Sequence, residues 1–110
     1  AVRIAATIEA AGGTVFARVD HAAGAASVGL KLMPSVLVIF GNPKLGTPLM
    51  QADPTFGVDL PLRVLVHEVD GRTVLTYHKP EALARTHGVP VDHPSIVKMT
   101  GVLAKLAGAT

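Results

Sequence analysis

The sequence predicts an α+β domain: an antiparallel four-stranded sheet with helices packed on one face. Three observations carry this. Residues 35–40, SVLVIF, form an unbroken β-branched and apolar run of the kind a central strand makes. Residues 62–69 and 73–78 flank Asp70-Gly71-Arg72, a hairpin turn whose positive φ glycine supplies. Residues 94–107 place Ile96, Met99, Leu103 and Leu106 at helical spacing, an apolar stripe suited to covering a sheet.

The remaining elements follow in order. Residues 1–11 are rich in helix formers, with Ile4 and Ile8 one turn apart on one face, and Gly12-Gly13 ends the helix. This helix has no N-cap, so natural sequence is expected to precede Ala1. Residues 14–20, TVFARVD, alternate as a strand does, and residues 21–26 read as a weak helix capped by Asp20. Within the long connection after residue 40, Thr47-Pro48 is a good N-cap and N1 pair, which predicts a short helix over 48–52. Residues 80–87 start with Pro80 and Glu81, as a first turn prefers, and Gly88 stops them. The order α-β-(short α)-β-β-β-α-α is that of one α+β domain spanning residues 1–110.

Composition narrows the function. With 49% hydrophobic but only 4% aromatic residues, the core is aliphatic. Net charge is +2, and the 10 basic residues form no cluster, so nucleic acid is not an expected partner despite a pI near 9.3. The absence of Cys excludes disulfides and thiolate chemistry. No apolar run reaches the roughly 18 residues needed to span a bilayer, and no basic-then-apolar leader precedes Val2. A soluble, cytoplasmic protein with no membrane partner is expected.

The chemistry concentrates in residues 40–68. Gly41, Gly46 and Gly57 and Pro43, Pro48, Pro54 and Pro61 punctuate a connection far longer than the usual 4–6 residues or so. Leu45, Leu49, Met50, Phe56, Val58 and Leu60 anchor it, so an ordered, packed loop is expected, buried at Leu49, Phe56 and Leu60. Asn42, Lys44, Thr47 and Gln51 can line a site there, with the N–H groups at Thr47–Leu49 aimed at a small anionic or polar ligand. Asn42 and Thr47 equally suit turn and cap hydrogen bonds. Asp53 and Asp59, six positions apart, suit acid–base work or a hard cation if they converge, and otherwise read as turn residues.

Five histidines are many for this length, but no HExxH or HxH spacing makes a zinc site. His21, His87 and His93 sit at element ends, where His is common, and His78, beside Tyr77 and a helix start, is the preferred working histidine. Met33, Met50 and Met99 are soft ligands suited to copper(I) or haem iron, and only Met50 falls outside a structural pattern. No serine has a GxSxG context.

The block FGNPKLGTPLMQADPTFGVDLPLRVLV, followed by the DG hairpin and TYHKPEALA, resembles the bacterial family called domain of unknown function 302 across nearly the whole chain. The resemblance implies a β-α-β(4)-α fold, loosely like one half of a TATA-binding protein, and no agreed activity. Members begin with a strand that this chain lacks, which leaves a sheet edge open and predicts a homodimer. The leading expectation is a non-enzymatic module that binds a small molecule or partner through Asn42, Lys44, Thr47, Met50, Gln51, Asp53, Asp59 and His78. The alternatives are an enzyme using Asp53, Asp59 or His78 as acid or base, and a metal or haem protein using His and Met. The cofactor is unknown from sequence.

Overall fold

A computed structural model describes residues 2–108, so the expectations on Ala1 lie outside the described residues. The sheet comprises β1 (Thr14–Asp20), β2 (Ser35–Gly41), β3 (Leu62–Val69) and β4 (Arg72–Thr76), antiparallel throughout and ordered β1-β2-β3-β4. Its helices are α1 (Val2–Ala10), α2 (His21–Ser27), α3 (Pro43–Ala52), α4 (Pro80–Thr86) and α5 (Pro94–Gly108), with a 3-10 turn at Pro54–Asp59.

Register decides which side of the sheet is buried. Val36 faces Val66, Val38 faces Val64 and Phe40 faces Leu62, so these six share one face. On that face Ile4 and Ile8 of α1, Leu49 of α3, Phe56, Ala84 of α4, and Ile96, Met99, Leu103 and Leu106 of α5 complete the core. The stripe expected on α5 is buried at all four positions. Residues of the opposite row, such as Leu37 and Leu65, are only half-buried.

Two edges remain, β1 and β4. Most of β1 is exposed, including Phe16 at 54%. Its pairing with β2 slips between Val15 and Ala17, a bulge that leaves Phe16 unopposed. The hairpin turn is as expected: Asp70 and Gly71 have φ of 50° and 77°, and both central residues are therefore left-handed. Among the described residues no helix is long and apolar enough to cross a membrane.

One boundary differs from expectation. The helix after β2 begins at Pro43, not Pro48, so the connection is mostly helical. Asn42 is the N-cap: its Oδ1 accepts from the Lys44 N–H at 3.0 Å, and Pro43 takes the first helical position. Pro48 then lies inside the helix and cannot bond back to the Lys44 carbonyl, which belongs to the exposed first turn. Two Asx/Thr-Pro pairs compete here, and the upstream one wins.

Candidate functional site

The segment that bridges β2 and β3 presents different chemistry on its two sides. One side walls an apolar cavity of about 240 Å³. Leu45, Gly46, Thr47 and Met50 of α3 line it, with Gly57 and Leu60 from around the 3-10 turn. Ile8, Phe16, Phe40, Met99 and Val102 close it from α1, β1, β2 and α5. Gly46 keeps space open: a Cβ there would meet Leu60 Cδ1 at 3.5 Å and Met50 Cε at 4.0 Å. Asn42 and Thr47 are its polar lining residues, and Asn42 is committed elsewhere. Its Oδ1 caps α3 while its Nδ2 donates to the Gly12 carbonyl at 3.4 Å.

The other side carries a clamp. Asp53 and Asp59 bracket the 3-10 turn, and both reach the His87 ring. His87 Nδ1 lies 3.0 Å from Asp53 Oδ2 and Nε2 lies 2.6 Å from Asp59 Oδ2. The Thr55 hydroxyl donates to Asp53 Oδ2 at 2.7 Å and sits 3.2 Å from His87 Nδ1, and the Thr55 N–H reaches Asp53 Oδ1 at 3.2 Å. Phe56 stacks on the imidazole with centroids 4.5 Å apart. The His87 side chain is 8% exposed, against 24% for Asp53 and 26% for Asp59.

Local rules place His87 here. Gly88, at φ 67°, ends α4 in a Schellman motif: the Val89 N–H reaches the Ala84 carbonyl at 2.9 Å and the Gly88 N–H reaches that of Arg85 at 3.3 Å. Buried Val89 anchors the exit, and His87 becomes the C-cap, where helix carbonyls favour a cation.

Electrostatics agree with the geometry. The hydrogen bond to Asp59 raises the His87 pKa above 6.5 against the opposing effect of desolvation, with Asp53 adding to the rise. The Thr55 hydroxyl, more than any other group, holds the Asp53 carboxyl below its ordinary 3.8. Only an imidazolium can donate at both nitrogens, so the two carboxylate contacts favour the protonated ring, in line with its raised pKa.

The sequence candidates divide accordingly. Asn42, Thr47 and Met50 line the cavity, and Asp53 and Asp59 converge in the clamp. Lys44 and Gln51 are exposed on α3, and His78 is exposed in the β4–α4 link. The N–H groups expected to face an anion at Thr47–Leu49 lie inside α3, and Pro48 has none. His87 is the residue that sequence alone does not single out, because it reads there as an ordinary element end. Its partners stand 34 and 28 positions away, and Gly88 is its one local signal. Among the described residues no group of three His, Asp or Glu side chains could hold a metal.

Known proteins agree with this architecture. The chain is 44% identical to a protein named fluoride-specific ion channel FluC 1 from Brucella suis biovar 1 (strain 1330), over 96% of this chain and 43% of that one. It is equally similar to a protein of that name from Brucella abortus biovar 1 (strain 9-941), of which it covers 41%. The chain thus spans less than half the length of these curated relatives. An uncharacterized conserved protein from Bacillus stearothermophilus superposes with a TM-score of 0.87 at 19% identity, covering 98% of this chain and 85% of that one, a likeness of fold. The family described as domain of unknown function DUF302 matches residues 1–108, and the chain belongs to that family.

Proposed function

We propose that this domain is a binding module for a small apolar molecule, held in the cavity between α3, the 3-10 turn, α1 and α5. The cavity itself carries this reading: about 240 Å³ walled almost wholly by carbon. A void of roughly 150 Å³ with such a lining suffices for benzene, so one ring or a short branched chain fits. An anion, fluoride included, is disfavoured because among the described residues no cation and no free helix N-terminus lines the space. Acid–base catalysis is disfavoured because both nitrogens of His87 are engaged and the clamp does not line the cavity. Met50 and Met99 line the cavity and, among the described residues, no histidine lines it with them, so the cavity offers no His–Met ligand pair.

The test is direct. In protein carrying ¹³C-methyl methionine, toluene should shift the Met50 and Met99 methyls and leave exposed Met33 in place. Unmoved Met50 and Met99 signals up to the solubility limit of toluene would end this reading.

Self-association is proposed from a separate observation, the exposed β1 edge with Phe16 and Val19, guarded by Arg18 and by Asp20 at its end. Sedimentation equilibrium at roughly 100 μM, far above the μM dissociation constants of modest interfaces, should show a dimer. A monomer at that concentration removes the proposal.

A further inference from the structure

We propose that the Asp53–His87–Asp59 clamp is a positioning device for the cavity wall, so that ligand affinity follows the protonation of His87. This rests on the apolar-ligand reading above and adds its regulation. The 3-10 turn is shared by both sites: Gly57 and Leu60 face the cavity, while Asp53 and Asp59 at the two ends of the turn are held by one imidazole.

The turn is a single short 3-10 helix, so its two ends are where it can be held or released. At its two ends the Phe56 N–H reaches the Asp53 carbonyl at 2.9 Å and the Leu60 N–H reaches the Gly57 carbonyl at 3.4 Å, in the 3-10 pattern whose geometry is weaker than that of an α-helix. Buried Phe56 anchors it to the core and also stacks on His87. An imidazolium donates to both carboxylates at once, but a neutral imidazole has a single N–H. Loss of the proton therefore releases one carboxylate, three-quarters buried, from its partner. One end of the wall beside Gly57 and Leu60 is then untethered.

The surroundings leave His87 as the switching group. From the 3-10 turn and its N-cap it meets Asp53, Thr55 and Asp59. On its own α4, Glu81 and Arg85 lie 3.9 Å apart and pair with each other. In the link to α5, His93 Nδ1 accepts from the Ser95 N–H. The upward shift of the His87 pKa from 6.5 puts the loss of the clamp on the alkaline side.

Toluene titrations followed at the Met50 and Met99 methyls test this at pH 6 and pH 9.5. Wild-type protein should bind about fivefold more tightly at pH 6, the lower end of typical coupling between sites. His87→Gln should show one affinity at both values. By reciprocity toluene should raise the titration midpoint of His87, read at its ring ¹³Cε1, by about 0.7 pH units for that fivefold effect. This readout needs no variant and would not move if the clamp merely held the fold together. Equal wild-type affinity at both pH values, or a His87 midpoint untouched by toluene, overturns the clamp proposal and leaves the cavity reading intact. Absence of any toluene shift at either pH removes both.

Discussion

The two sides of the segment between β2 and β3 are built by opposite means. The cavity side is assembled from groups that need no particular partner: Leu45, Met50 and Leu60 meet whatever carbon faces them. The clamp side depends on three side chains meeting through two contacts of 2.6 and 3.0 Å, and both contacts converge on one ring. Apolar contacts are non-directional and tolerate exchange. A buried charge network fails when one member leaves. The cavity should therefore bend under mutation, whereas the clamp should break.

Phe56 belongs to both sides and gives the largest expected effect. It is fully buried and stacked on His87, so Phe56→Ala should cost about 3–5 kcal/mol in urea unfolding. A loss below about 1 kcal/mol would show that the turn is not packed as described.

The clamp comes next, and its sign can be worked out. The His87 pKa is raised on folding, so its contribution is complete below 6.5 and is lost as pH climbs through the raised value. The Asp53 pKa is lowered, so its contribution is complete above 3.8 and is lost as pH falls through the lowered value. Urea midpoints should be highest between these limits and decline as pH climbs beyond 6.5 through the raised His87 value. In His87→Gln the alkaline decline should vanish, and an unchanged slope would take the stabilising role away from His87.

The smallest effect on stability belongs to the cavity. Gly46→Leu directs a side chain into the void while removing a helix-interior glycine, itself a gain of roughly 0.5–1 kcal/mol. Stability should change by no more than about 1 kcal/mol, yet toluene should no longer reach the Met99 methyl. Retained toluene binding in that variant would place the ligand elsewhere.

The same division explains what could be read from sequence. The strands, the hairpin turn, the α5 stripe and the Gly88 stop all rest on rules that act within a few residues, and each was legible. The start of α3 was not, because Asn42-Pro43 and Thr47-Pro48 satisfy the same capping rule and only packing of the segment chooses between them. The cavity is half legible: residues 40–68 stand out in the sequence, but a void bounded by α1, β1, β2, α3 and α5 exists only once those elements meet. The pairing of Asp53 and Asp59 through His87 spans 28 and 34 positions, and no local spacing encodes it.

The slip in register between Val15 and Ala17 has a consequence for assembly. It frees Phe16 from the strand ladder, and the same ring is both exposed on the open edge and part of the cavity wall. Its Cε2 lies 3.5 Å from where a Cβ on Gly41 would sit, at the point where β2 hands over to α3. A chain adding to the β1 edge would therefore press on a cavity wall, and a molecule in the cavity would reshape that edge. If both the proposed ligand and a second chain bind, the two equilibria would be linked through one aromatic ring: whatever factor the ligand applied to assembly, assembly would return to the ligand.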